Sequence, residues 1–239
     1  MRIMAVSDLH GELAGIDPTG ADVVVIAGDV APLRGRTPWH LREQAAWVNE
    51  EFREWTSSFP GVAFVVVPGN HDFFALRPPA PGGRGRGGAD NADYQWFGYG
   101  FSANVLFLVG AGAEVAGLRF FGTPWVPVIS GAWAFEAGHD ELTAEFAKIP
   151  AGLDVLITHS PPRVPGSDID RSLQTDSPHF GSPELTNAIL AKRPRVAFCG
   201  HVHSGAHGAV AYGGGTRLFN VSRLDERYAI AYPPTVVEV

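Results

Sequence analysis

Residues 22–29 read DVVVIAGD, an apolar run rich in β-branched side chains that stops at a glycine and a carboxylate. A continuous apolar run of this length, with no polar alternation, predicts a strand buried on both faces. Outward from it the same design recurs. Arg2 to Val6 runs into Ser7-Asp8-Leu9-His10. Val62 to Val67 ends in Pro68-Gly69-Asn70-His71-Asp72, Leu153 to Thr158 ends in His159, and Arg195 to Cys199 ends in Gly200-His201-Val202-His203. The polar cluster always lies at the carboxyl end. Open α/β sheets bind ligands outside the carboxyl ends of their strands, so five strands are expected to deliver reactive side chains to one rim.

Helices are predicted between these strands. Thr37-Pro38 joins an N-cap to a proline at the first helical position. Leu41, Ala45, Val48, Phe52, Trp55 and Phe59 follow at steps of four and three, which predicts a helix over about 38–58 with one apolar stripe. Ser182-Pro183 opens a second helix through about Ala191, with Leu185, Ile189 and Leu190 expected inward, and His139 to Lys148 forms a shorter third. Val105 to Phe121 reads as strands turning at Gly110-Ala111-Gly112 and Gly117. The last 30 or so residues alternate around Gly213-Gly214-Gly215 and read as a second sheet of antiparallel strands. Thr235 to Val239 could pair within the chain or across a dimer. PPAPGGRGRGG, Pro78 to Gly88, reads as a flexible surface loop at about 78–90 inside one domain of 1–239, because candidate ligands lie on both sides of it.

Composition narrows the function. The 239 residues are 45% hydrophobic and 18% charged, an ordinary globular balance. The formal net charge of −7 does not suit a grip on long nucleic acid, which needs a positive field along the phosphates. Two bound divalent cations would bring that charge to about −3. The one cysteine, Cys199, excludes an internal disulfide and reads as a small buried strand residue in a reducing cytoplasm. There is no signal-peptide core before Asp8 and no apolar run of the ~20 residues that a membrane span needs. A soluble cytoplasmic protein is expected, with no membrane partner.

Metal chemistry explains the polar clusters best. A two-cation site needs a carboxylate that can bridge the ions, together with imidazoles and further oxygen donors. Asp8 and His10, two apart at a strand end, can turn to one ion, and His201 and His203 repeat that spacing. Asp29 follows Gly28, which has no side chain to obstruct a close approach. Asn70 offers a neutral carbonyl oxygen, with His71 beside it. Singly each residue is unremarkable, since strand-end histidines are mostly hydrogen-bonded and strand-end aspartates mostly form turns. Together they are not: histidines 10, 71, 159, 201 and 203, five of nine, lie just beyond apolar strands in the company of Asp and Asn.

The ordered blocks D-L-H (8–10), G-D (28–29), G-N-H-D (69–72), T-H (158–159) and G-H-V-H (200–203) resemble those of the calcineurin-like metallophosphoesterases, over about residues 3–203. G-T-P-W-V-P (122–127), W-A-F (133–135), T-H-S-P-P (158–162), F-N-V-S (219–222) and P-P (233–234) look like the metallophosphoesterase-domain branch, similar to class III cyclic-nucleotide phosphodiesterases. The resemblance implies an α/β fold, a four-layer αββα sandwich of two mixed β-sheets flanked by helices. It implies that Asp8, His10 and His203 hold one ion and Asp29 bridges to a second. Asn70, His159 and His201 would complete the coordination of that second ion, and His71 would stand at the substrate phosphate as the catalytic residue. Attack would come in line from a hydroxide held between ions about 3.5–4 Å apart. Donors of this kind fit manganese first, with iron, zinc or nickel compatible.

One departure counts against a phosphoprotein phosphatase. Val30, Ala31 and Pro32 follow Asp29 where many such enzymes carry a further Asp, so an aspartate partner for His71 is missing there and Asp72 is the available substitute. The expected substrate is a small phosphodiester or nucleotide, cyclic nucleotides included. The alternatives are a phosphomonoesterase or nucleotide pyrophosphatase on the same metal pair, and a non-catalytic scaffold. The scaffold is disfavoured because all seven ligand candidates and His71 are present. Arg84 and Arg86 read as a solvated connector, the alternative being a flap over the substrate. Phe73, Phe74, Trp96 and Phe97 read as packing rather than base stacking, as do Trp125 and Trp133.

Overall fold

Alternate residues of each apolar run enter different cores, and this is why the runs lack polar positions. The computed structural model describes residues 1–33, 35, 38–76 and 101–239. In chain order its strands are β1 (Arg2–Val6), β2 (Val23–Ala27), β3 (Ala63–Val67), β4 (Val105–Phe107), β5 (Ala111–Val115), β6 (Leu118–Thr123), β7 (Val126–Pro127), β8 (Glu136–Ala137), β9 (Val155–Thr158), β10 (Val196–Cys199), β11 (Val210–Tyr212), β12 (Thr216–Asn220) and β13 (Thr235–Glu238). Its helices are α1 (Pro38–Trp47), α2 (Arg53–Ser57), α3 (His139–Ala147) and α4 (Pro183–Lys192).

One five-stranded sheet has the order β13-β1-β2-β3-β4, and a six-stranded sheet has the order β11-β12-β10-β9-β6-β5. Each has a parallel centre, β1 to β4 in the first and β12, β10, β9 and β6 in the second, with antiparallel strands at the edge. Ile3, Val23, Val25, Val65, Val155, Ile157, Val196 and Phe198 form the core between the sheets. Their chain neighbours Met4, Val24, Ile26, Val66, Leu156 and Ala197 face the other way, into a helix-side core with Val48, Phe52, Leu142, Phe146, Leu185 and Ile189. This is the mixed α/β architecture of two sheets flanked by helices.

Three local expectations are corrected. The long helix forms, but a π-turn at Val48–Phe52 separates α1 from α2. The buried face runs through Gln44, Trp47, Val48, Phe52 and Thr56, with the Gln44 amide drawn inward to donate to the Pro32 and His71 carbonyls, whereas Leu41, Ala45, Trp55 and Phe59 are half-buried. In α4, capped by the Ser182 hydroxyl on the Leu185 amide at 3.1 Å, Leu190 faces outward at 40% exposure. Leu185 and Ile189, four apart, share the inner face, and the next residue is turned by about 100°. The C-terminal residues do not make a sheet of their own. The β11–β12 hairpin is antiparallel as expected, but β12 pairs parallel with β10, and β13 pairs antiparallel with β1 of the other sheet. β12 buries residues on both faces and so occupies an interior place, while β13 buries Val237 alone and lies at an edge. Thr37 and residues 78–90, with Arg84 and Arg86, lie outside the described residues, as do Trp96 and Phe97.

Candidate metal centre

The parallel strands of both sheets end at a common rim, stitched by backbone bonds. The Ser7 amide donates to the Val221 carbonyl at 2.8 Å, Gly200 to His159 at 3.0 Å, and Asp8 to Gly28 at 2.9 Å. A sixth strand, β12, reaches the rim beside the five predicted, and Ser7 and Ser222 form a bridge across the seam. Gly200 makes this seam possible, because a Cβ there would overlap the Ser7 hydroxyl and the Asp8 carboxylate. Gly28 has φ +102° and packs where a Cβ would overlap the His159 ring.

Asp8, His10, Asp29 and His201 all have positive φ, at 54°, 44°, 52° and 69°. Non-glycine residues rarely adopt this region, and clusters of them mark functional sites. The carboxylates are anchored by donors rather than left to rotate. Asp8 accepts the His201 amide at 3.0 Å and the Ser222 hydroxyl at 2.6 Å, and Asp29 Oδ1 accepts the His71 amide at 2.8 Å. Asp29 Oδ2 is the hub. Nε2 of His159, His10 and His71 lies 3.3, 3.7 and 3.8 Å from it. His203 Nε2 lies 3.5 Å from Asp8 and 3.4 Å from His10 Nε2, and His159 Nε2 lies 2.9 Å from Asn70 Oδ1. The donor atoms form three overlapping groups, each within 4.8 Å: Asp8-His10-His203, His10-Asp29-His71 and Asp8-Asp29-His159. The predicted residues are thus brought together. His201 stands a layer back, its ring edge-on to His159 at 5.0 Å.

The electrostatics call for positive charge. Asp8 and Asp29 are at most 1% exposed, and among the described residues only histidines pair with them. Burial pushes both carboxyls up, but His203 beside Asp8 and His159 beside Asp29 outweigh it and hold them well below the usual range. The converse holds for the imidazoles. Burial pushes His159 and His203 down, yet Asp29 and Asp8 respectively lift each to about 9. Without so close an anion His201 falls to about 3, from burial and then the His159 charge, and burial takes His10 to about 4. His159 Nδ1 and His203 Nδ1 meet the carbonyls of Ala27 and Asp225 at 2.9 and 3.0 Å. A carbonyl only accepts, so Nδ1 carries the proton and Nε2 is turned inward as a ligand would be. Buried His10 Nδ1, Asn70 Nδ2 and His71 Nδ1 have no hydrogen-bond partner. Buried carboxylates facing inward imidazoles fit divalent cations better than they fit any partner present in the chain.

Asp72 does not serve His71. Its buried carboxylate accepts the amides of Val30 at 3.0 Å, Ala31 at 2.9 Å and Gly69 at 2.7 Å, locking the loops after β2 and β3 together. Burial and then Asp29 raise it to about 7. His71 instead meets the ring of Trp133 at 4.3 Å, so the packing partner of Trp133 is a candidate site residue. Trp125 is buried against Phe135, and Phe74 against Phe107, as packing. Three further residues at the site were not among the sequence candidates: Ser222 on Asp8, which stands in the F-N-V-S block without a role read from it, Gln44 donating to the His71 carbonyl at 2.7 Å, and Tyr228, whose ring lies 4.9 Å from His10 and 5.2 Å from His203. Among the described residues no helix is long and apolar enough to cross a membrane.

Known proteins resemble this chain in sequence and in fold. The chain is 28% identical to metallophosphoesterase domain-containing protein 1 of Homo sapiens across all of its length and 71% of that protein. It is also 28% identical to a UPF0046 protein of Caenorhabditis elegans, over 99% of this chain and 74% of the other. The fold matches the phosphopantetheinyl hydrolase of Mycobacterium tuberculosis with a TM-score of 0.55 at 17% identity, covering 95% of this chain and 90% of that one. Residues 1–205, which contain all five polar blocks, match the calcineurin-like phosphoesterase model, so the chain belongs to the calcineurin-like phosphoesterase family.

Proposed function

We propose that the protein is a phosphodiesterase that hydrolyses small diesters, cyclic nucleotides among them, at a pair of divalent cations. Asp8, His10 and His203 would hold one cation, Asp29 would be shared, and Asn70, His159 and His201 would serve the second, with manganese the first candidate. The observation that carries this reading is the overlap of the three donor groups. Asp29 belongs to two of them, Asp8 to two and His10 to two, as a shared pair requires and a single ion does not. Bound cations supply Lewis-acid charge to the phosphoryl oxygens and lower the pKa of a water.

The chain's own residues do the rest. Asp29 and Asp8, pinned by amides and a hydroxyl, keep their oxygens aimed without reorganisation. His71, 14% exposed at its side chain and beside Asp29, is the group placed to donate a hydrogen bond to a substrate oxygen. The net charge of −7 favours a small substrate over long nucleic acid, and a cytoplasmic setting suits the lone buried thiol of Cys199.

The test compares hydrolysis of bis-p-nitrophenyl phosphate with that of p-nitrophenyl phosphate on protein stripped by chelation and reloaded with manganese. Diester turnover that dominates and vanishes on chelation is the expected result. A dominant monoester rate moves the reading to a phosphatase or nucleotide pyrophosphatase. No turnover of either ester with two cations verified as bound sinks the diesterase and leaves the scaffold.

A further inference from the structure

We propose that Trp133 is a positioning residue that sets the tilt of the His71 ring over Asp29. This rests on the phosphoesterase reading for its consequence, though not for its geometry. His71 lacks the partners that usually orient a histidine. Its Nδ1 is buried with no hydrogen bond, Asp72 is committed to three backbone amides, and Nε2 is 3.8 Å from Asp29, beyond a hydrogen bond. What does contact the ring is aromatic. The indole of Trp133 covers it at a centroid distance of 4.3 Å and a tilt of 35°, and His10 meets it edge-on at 5.1 Å.

The indole is itself held by a device with no other evident purpose. Trp133 lies in the turn between β7 and β8, and the Glu136 carboxylate gathers that turn from within. It accepts the amides of Ile129 at 2.6 Å, Ser130 at 2.7 Å and Trp133 at 2.9 Å. The next residue, Ala134, donates its amide to the Asn70 carbonyl at 3.0 Å, docking the turn directly on the Asn70-His71 loop. The turn thus grips the catalytic loop through one backbone bond and one ring face. Its outer side carries Val128 and Ile129, exposed at 59% and 54%. An imidazole restrained by π-contact is oriented without a hydrogen bond at Nδ1, so its Nε2 stays free to meet a substrate oxygen.

The deciding experiment records the ring protons of His71 in metal-free, histidine-labelled protein by NMR, assigned by their loss in His71→Gln. Stacking beneath an indole should place them upfield. Trp133→Ala should move them downfield and broaden them. In the manganese-loaded form it should lower kcat on bis-p-nitrophenyl phosphate about tenfold, the scale of one aromatic pair, with KM changed less than about twofold. Trp133→Phe should recover most of both effects, and Glu136→Gln, which loosens the turn and spares the indole, should fall between them. Signals unmoved in Trp133→Ala, or no recovery in Trp133→Phe, overturn the proposal. If wild-type protein turns over no ester, the functional reading falls while the ring signals still decide the positioning role.

Discussion

The two sheets bring unlike chemistry to the rim. The first, through the loops after β1, β2 and β3, supplies both carboxylates of the donor groups, Asp8 and Asp29, with His10, Asn70 and His71. The second supplies imidazoles and a hydroxyl, His159, His201, His203 and Ser222, and no carboxylate that touches the donor groups. Three of the four strained ligand backbones belong to the first sheet. Two carboxylates so close on one sheet repel each other, and the second sheet is where the compensation comes from: His159 faces Asp29, and His203 faces Asp8. One donor group, His10-Asp29-His71, lies wholly on the first sheet, whereas the other two are completed by His203 and His159 of the second, so all three groups come together only where the sandwich closes.

The largest break in this division should come from Asp29→Asn, which removes the hub and leaves the second sheet's imidazoles with one anion. Bound metal by elemental analysis should fall below the wild-type content, and turnover should drop to that of the chelated protein. Full occupancy would show that Asp29 does not bridge. Next, His71→Ala should keep both cations and lose about 10²–10⁴-fold in kcat, the usual scale for proton donation. Wild-type turnover in that variant would take His71 out of the reaction.

A smaller effect tests the seam. Ser222→Ala deletes the 2.6 Å hydrogen bond from the second sheet to Asp8. It should lower unfolding stability by about 1.5–3 kcal/mol, as expected for a bond to a buried charge, read as a shifted denaturant midpoint at unchanged m. The smallest effect sharpens the comparison from outside the cations. Burial lifts the Glu136 carboxyl, but the amides of Ser130, Trp133 and Ile129 outweigh it and hold it below 4.5. A folded-state pKa below the unfolded one stabilises above the unfolded pKa and is lost as pH falls through the folded pKa. Wild type should therefore be more stable than Glu136→Gln at pH 7, by less than about 1 kcal/mol after solvent screening, with the gap closing as pH falls through the lowered pKa. A gap independent of pH would assign the effect to geometry rather than charge.

The candidate donors that the fold gathers are legible because buried parallel strands print themselves as apolar runs, and polar residues just beyond them have few structural uses. Asp8, Asp29, Asn70, His159 and His203 follow from that contrast alone. Ser222 did not, although it follows a strand, because a serine after an apolar residue is common. Tyr228 and Gln44 reach the site from a polar loop and from a helix, where no periodicity distinguishes them. The pairing of β13 with β1 joins residues more than 200 positions apart, and a short alternating segment does not specify which edge it will complete. Leu190 and the π-turn were missed because a stripe counted in threes and fours tolerates neither an extra residue nor an apolar neighbour turned to solvent.

The left-handed backbones at Asp8, His10, Asp29 and His201 carry a further consequence. Side chains aimed by φ, and those beside them, are also tied by the protein's own amides, carbonyls and the Ser222 hydroxyl. In small zinc modules the ion is the nucleus of folding. Here Asp8, Asp29, His159 and His203 each have a tie within the chain, so chelation is expected to lower Tm without unfolding the protein, whereas a zinc module treated in the same way collapses.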